Sequence, residues 1–182
     1  MRLFVGIPFN SGFQAMIFEK CRSLPAMAGI RLVKPENYHV TIQFLGDSSQ
    51  SVDTIAEPIR NITDNLDSFS FTMDQMIGFP SIQKANTVAL SLQPTEPFVL
   101  ISSQIRSVLS PLGFKTGKTI IPHITIARSK HAINASEWKH LFQIDSLRQV
   151  ASEIVLYQSI LQPEGPIYHR LISLKLKGDL YG

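Results

Sequence analysis

Two short runs of this sequence set an imidazole and a hydroxyl two residues apart among apolar neighbours. One is "YHVTIQFLG", Tyr38 to Gly46, with His39 and Thr41; the other is "PHITIAR", Pro122 to Arg128, with His123 and Thr125. Both are rich in β-branched and aromatic residues, which predicts strands, and in a strand residues two apart share a face. Each strand would show its His and Thr on one side and bury the alternate residues on the other: Val40, Ile42 and Phe44 in the first, Ile124 and Ile126 in the second. If the two strands face each other across a cleft, two imidazoles flank one small volume and two hydroxyls line it. Histidine titrates near neutrality, so one ring can take a proton from water while the other gives a proton to a leaving oxygen. The hydroxyls and an imidazolium can hold the outer oxygens of a tetrahedral anion as charge builds. A lone histidine or threonine in a strand has an ordinary structural explanation. The recurrence of the pattern, once in each half with the same apolar alternation, is what points to chemistry.

The elements that must hold these strands follow from apolar periodicity. Leu3–Ile7 predicts a first strand. Phe13, Ile17, Cys21 and Leu24 recur at helical spacing over Ser11 to Leu24, with Ser11 at the N-cap position. Ser51 to Leu66 places Val52, Ile55, Ile59, Ile62 and Leu66 on one helical face, where Pro58 should kink the helix or mark a late start. Strands are expected at Phe69–Phe79 and Thr87–Leu92, followed by a helix over Phe98 to Leu109. The second motif strand spans Thr119–Ala127, a short helix at Ala135–Phe142 carries Trp138, and Val150–Leu161 with Tyr168–Leu176 forms a closing hairpin. Each half of the chain thus runs strand, helix, motif strand.

Composition bounds the setting. Of 182 residues, 44% are apolar and 17% charged, the balance of a globular domain or of two small packed lobes. The net charge of +3 suits a polyanionic substrate. A single cysteine, Cys21, allows no internal disulfide and no cysteine-based zinc site. The apolar run in "MRLFVGIPFN" is broken by Pro8 and too short for a signal-peptide core, and no run approaches a membrane span. A cytoplasmic monomer that does not bind membrane is expected.

With its paired His-x-Thr-x-apolar strands, the sequence resembles the two-histidine (2H) phosphoesterases, and within them the LigT-like RNA 2',3'-cyclic phosphodiesterases. "RLFVGIPF" is similar to the family's opening strand, "PENYHVTIQFLGD" and "PHITIAR" to its two motif blocks, "FTMDQMIGFP" to a central strand, and "LYQSILQPEGPIYHRL" to its closing hairpin. The resemblance implies an α+β fold in which residues 1–182 form one bilobal domain. Two pseudo-symmetric lobes would line a central groove with antiparallel sheets and carry helices outside. It implies hydrolysis of a terminal 2',3'-cyclic phosphate, on RNA or a nucleotide, to a 2'-phosphate, with no metal and no cofactor. Carried over by position, His39 and His123 are catalytic, and Thr41, Thr125 and Arg128 bind substrate. His123 is assigned as the base and His39 as the acid, an order that the pseudo-symmetry hides. Two places depart from the family: "NTVALSL" lacks a tryptophan, and Ile121 stands where a basic or aromatic residue is common.

Other features carry less. "GFKTGKT", Gly113 to Thr119, resembles a phosphate-binding P-loop, but that pattern needs glycine where Leu112 stands. Lys115, Lys118, Lys34 and Arg31 are candidates for the mouth of a groove, each with an ordinary solvated reading beside it. His131, His140 and His169 have no partner pattern, and Trp138 reads as packing. A metal held by His39, His123 and a carboxylate would have threonines as neighbours, which are poor zinc ligands. Two alternatives stay open: a phosphoesterase acting on another cyclic or oligonucleotide phosphate, and a non-catalytic binder of a nucleotide or RNA phosphate using the same four side chains.

Overall fold

A computed structural model describes residues 1–26, 29–115, 119–142, 148–163 and 165–178. In chain order the elements are β1 (Arg2–Pro8), α1 (Ser11–Arg22), β2 (Ile30–Leu32), β3 (His39–Asp47), α2 (Val52–Thr63), β4 (Phe69–Phe79), β5 (Ala85–Gln93), α3 (Glu96–Leu109), β6 (His123–Ile133), α4 (Trp138–Leu141), β7 (Gln149–Ala151), β8 (Glu153–Ile160) and β9 (Ile167–Lys175). The named strands all pair antiparallel, in the order β7-β4-β5-β6-β3-β1-β8-β9, with β2 added to β6. Outward from the middle, each half repeats: β3 lies on β1 and β1 on β8, while β6 lies on β5 and β5 on β4. Helix α1 joins β1 to β3 and α3 joins β5 to β6. The two motif strands, β3 and β6, meet at one register pair, Val40 opposite Ile124, and β2 ties the halves again at three more, Ile30 opposite Ser129, Arg31 opposite Arg128 and Leu32 opposite Ala127. The structure is the expected mixed α+β one, and its two half-sheets share a seam.

Local signals placed most elements, with instructive shifts. Asn10, not Ser11, caps α1, its side-chain oxygen accepting from the Phe13 amide at 2.8 Å. Ser51 caps α2, and Pro58 lies inside that helix instead of marking a late start. The second motif strand begins at His123, not Thr119; pairing starts at Ser91 opposite His123, just after Pro122, which has no N–H to give. The segment read as one strand from Val150 is broken at Ser152, because β7 pairs with β4 in one half and β8 with β1 in the other. One residue cannot span a flat sheet, so the sheet curls. Strand β2, which apolar periodicity does not mark, is three residues that pair with the edge of β6.

The convex face carries the core. Leu3, Val5, Ile7, Val40, Ile42, Leu90, Ile124 and Ile126 pack against Phe13, Ile17 and Cys21 of α1, Ile55 and Ile59 of α2, and Phe98, Ile101, Ile105 and Leu109 of α3. Trp138 joins this core, as its packing reading requires. Phe4 alternates to the other face, where it forms a small cluster with Val155 and Tyr157, with Tyr168 against it. Among the described residues no helix is long and apolar enough to cross a membrane.

Each motif strand carries a β-bulge, and the two match. On β3 the register runs from Thr41 opposite Gly6 to Gln43 opposite Val5, leaving Ile42 unpaired. On β6 it runs from Thr125 opposite Ala89 to Ala127 opposite Val88, leaving Ile126 unpaired. A bulge frees a backbone carbonyl that must find another donor when buried. The Ile42 carbonyl accepts from the hydroxyl of Ser102, a fully buried residue of α3, at 2.9 Å. The Ile126 carbonyl accepts from the Val33 amide, also at 2.9 Å.

Candidate active site

The seam decides where the chemistry-bearing residues go. Val40 and Ile124 are the residues between His and Thr in each motif, and both are buried. Their pairing turns His39, Thr41, His123 and Thr125 together onto the concave face. All four line one groove of about 1070 Å³.

Each imidazole is oriented by its own chain. The Nδ1–H of His39 donates to the Asn37 carbonyl at 2.8 Å, and that of His123 to the Ile121 carbonyl at 2.6 Å. A carbonyl can only accept, so Nδ1 carries a proton in both rings and Nε2 is the basic atom of each neutral ring. In the first half that Nε2 accepts from the Thr41 hydroxyl at 3.0 Å. His123 Nε2 has no such partner among the described residues. Gly6, opposite Thr41, leaves room for this packing: a Cβ there would stand 3.0 Å from the Val40 carbonyl and 3.4 Å from the His39 ring.

The rings around the two histidines differ. His39 lies 4.8 Å from Phe4, 5.9 Å from Tyr157 and 5.0 Å edge-on from Tyr168, centroid to centroid. His123 has Phe79 at 4.9 Å. Burial disfavours the charged imidazole and brings His39 down to about 4; its bond to Asn37 opposes this, while His123 and Arg128 add to it. Burial lowers His123 as well, opposed by its bond to Ile121 and reinforced by Arg128. Burial also raises the pKa values of Tyr157, to about 12, and Tyr168, so both phenols stay neutral.

The matched bulges explain what else reaches the groove. After the unpaired residue the face of the strand is reset. Phe44, three residues beyond Thr41, therefore turns to the groove instead of the core and is 70% exposed. This corrects the simple alternation, which buries Phe44 with Val40 and Ile42; Gln43 is the buried residue. Arg128 stands at the same step beyond Thr125. Its guanidinium donates to the Thr87 hydroxyl at 3.3 Å and lines the groove with both histidines. The pseudo-symmetric places thus hold a ring in one half and a cation in the other.

Of the remaining basic candidates, Arg31 and Lys34 line the groove, joined by Arg2, while Lys115 does not. Lys118 and the side chain of His140 lie outside the described residues. His131 and His169 are exposed and do not line the groove. Phe4, Tyr157 and Tyr168 escape a motif search because aromatic residues in strands are ordinary core formers. The available signal is that Phe4 and Tyr157 alternate with residues of the main core, which requires a second apolar face for them.

The fold and the sequence can be set beside known proteins. A family model for the 2'-5' RNA ligase superfamily matches residues 18–159. A Thermotoga maritima protein named RNA 2',3'-cyclic phosphodiesterase is 30% identical over 185 residues, covering 99% of this chain and 98% of that one. A Methanocaldococcus jannaschii protein of the same name is 30% identical over 172 residues, covering 92% and 96%. Among solved structures, a Thermus thermophilus protein superposes with a TM-score of 0.82 at 21% identity, over 98% of this chain and all of that one. Escherichia coli LigT complexed with 3'-AMP gives 0.77 at 24% identity, over 97% and 98%. At these identities the superpositions speak for the fold.

Proposed function

This chain belongs to the 2'-5' RNA ligase superfamily of two-histidine phosphoesterases, and from that premise we propose that it opens the 2',3'-cyclic phosphate at the end of an RNA to a 2'-phosphate by acid–base catalysis between His39 and His123. It is a hydrolase. Water adds to phosphorus, the bond from phosphorus to the 3'-oxygen breaks, and the 3'-oxygen leaves with a proton. The observation that carries this reading is the seam, which brings two imidazoles and two hydroxyls to one groove wall with both Nδ1 atoms already engaged. The names of the relatives supply the substrate class, and Arg2, Arg31, Lys34 and Arg128 along the groove suit a polyanion. Residues 1–182 act in this reading as one two-lobed domain, since β2 of the first half completes the edge of β6 in the second.

Acid and base follow from the unequal surroundings. His39 is the harder ring to charge, and its Nε2 already accepts a hydrogen bond. It takes the proton from water. His123 departs less from its ordinary value and, once the anionic phosphate offsets Arg128, carries the proton for the leaving 3'-oxygen. This reverses the order assigned from sequence. Thr125 and Arg128 hold the outer phosphate oxygens as charge builds, joined by Thr41 once its hydroxyl turns from His39 Nε2 to the phosphate and leaves that nitrogen to water, a role worth about 10²- to 10³-fold for each well-placed donor. The exposed ring of Phe44 offers a face on which the terminal base can stack. These side chains supply acid, base and donors, so no step is routed through a metal.

Phosphorus NMR tests the reading. The protein is incubated, with EDTA present, with 2',3'-cyclic nucleotides and with a short RNA ending in a cyclic phosphate. The cyclic signal should give way to a 2'-monophosphate, and His39→Ala and His123→Ala should each abolish the change. Binding of the RNA without turnover would replace the enzyme by a phosphate-binding module. Turnover of a different diester alone would move the activity to another phosphoesterase substrate.

A further inference from the structure

The tip of the β8–β9 hairpin is anchored to residues beside the first half-site. The Asn37 side-chain amide donates to the Pro166 carbonyl at 2.9 Å, across 129 residues of sequence. Arg31 of β2 donates to the Pro163 carbonyl at 3.3 Å. Asn37 is also the residue whose own carbonyl accepts the Nδ1–H of His39. One chain of bonds therefore runs from the hairpin tip through Asn37 and His39 to the Thr41 hydroxyl. The same hairpin brings Tyr168 edge-on to the His39 ring. Among the described residues nothing comparable fixes the other half: Ile121, whose carbonyl holds His123, is 56% exposed with an apolar side chain that cannot donate.

From this geometry we infer that Asn37 is a positioning residue for His39, holding its carbonyl on Nδ1 through the side-chain hydrogen bond to the hairpin tip and so fixing the tautomer in which Nε2 carries no proton. Any residue at this place would supply a carbonyl. Only a side chain with a correctly placed donor ties that carbonyl to Pro166. The 3₁₀ turn Pro35–Asn37 ends at this residue, so a rotation of its last peptide would carry the acceptor away from the ring. Because Nε2 and Nδ1 share one proton in the neutral ring, a lost Nδ1 acceptor lets the proton move to Nε2, where it blocks proton abstraction. The inference rests on the role proposed above for His39.

Two readouts test it, one independent of activity. Nitrogen-15 NMR of the labelled protein reports the tautomer of each histidine. His39 should be held as the Nδ1–H form in the wild type and become a mixture in Asn37→Ala, while His123 keeps its signal. Turnover should fall about tenfold in kcat with KM within twofold, and Asn37→Gln, which keeps an amide donor, should recover part of the loss. If Asn37→Ala does not fold, Arg31→Ala releases the other anchor and should shift the His39 signal in the same direction by less. A lowered Tm with unchanged kcat and an unchanged His39 tautomer would leave Asn37 as a structural tether and overturn the inference. If the wild type turns over no cyclic phosphate, the proposed function fails, and the nitrogen signals still decide whether Asn37 holds the ring.

Discussion

The two half-sites carry the same side chains on the same backbone plan and are not equivalent. His39 is packed among three aromatic rings, tied through Asn37 to a distant hairpin and bonded to Thr41. His123 has Phe79 beside it and is held by a carbonyl whose own side chain cannot be tethered by a hydrogen bond. Phe44 in the first half answers to Arg128 in the second. Even the two bulges are satisfied differently, one by a buried serine hydroxyl and the other by a main-chain amide. The lesson is that pseudo-symmetry delivers the same side chains to one place, and the neighbours then give each half its own surroundings.

The sharpest way to break this comparison is through the leaving group. On a ribose cyclic phosphate, His39→Ala and His123→Ala should each cost about 10²- to 10⁴-fold in kcat. On an aryl phosphodiester, whose phenolate leaves unaided, His123→Ala should recover most of its activity and His39→Ala should not. The opposite pattern in steady-state rates would restore the order assigned from sequence.

The next contrast is between the two places beyond the bulges. Phe44→Ala should raise KM about tenfold for a cyclic nucleotide, the scale of one lost base stack, and leave a base-free cyclic phosphate nearly unchanged. Arg128→Ala should slow both substrates. Equal effects of Phe44→Ala on the two would mean that the ring shapes the groove instead of receiving a base.

A smaller effect separates the bulges themselves. Ser102→Ala strands the buried Ile42 carbonyl and should cost roughly 1–3 kcal/mol in urea or thermal unfolding. The matching bond at Ile126 comes from main chain and cannot be removed by a side-chain change. An unaltered midpoint would show that the β3 bulge holds without Ser102.

The smallest contrast is in acid. The folded chain keeps His39 neutral down to about pH 4, whereas an unfolded chain protonates this residue near its ordinary value of 6.5. Stability from this source is therefore full above about pH 6.5 and is lost as pH falls toward 4. His39→Gln should flatten that loss by up to about 3 kcal/mol between pH 7 and 4, and His123→Gln by less. Denaturant titrations across that range would show whether the two rings differ.

Much of this is legible in the sequence, and the failures share a cause. The motif strands, the three long helices and the grouping of His39, Thr41, His123 and Thr125 rest on local periodicity and on spacing within a few residues, and Arg128 on the family resemblance. What escapes depends on pairing across the chain. Strand β2 is too short to announce itself and exists because the edge of β6 is open beside the seam. Simple alternation sends Phe44 to the core because a bulge breaks the two-residue period without leaving a glycine or proline to mark it. Tyr168 meets His39, and Asn37 gains its tether, only because a hairpin far along the chain folds back over the first half-site. Acid and base cannot be ranked from sequence, since burial differs between halves whose motifs read alike.

The seam has a mechanical consequence. Strands β3 and β6 share one backbone pair, and each His and Thr lies one residue, about 3.3 Å along the strand, from it. Phe44 and Arg128 sit four residues out, about 13 Å along the same two strands. Past the shared pair, β2 clamps β6 at three register positions, Arg31 opposite Arg128 among them, and Ser102 of α3 clamps the β3 bulge. The joint is braced on both sides of its middle, and that brace holds the four motif side chains to one spacing.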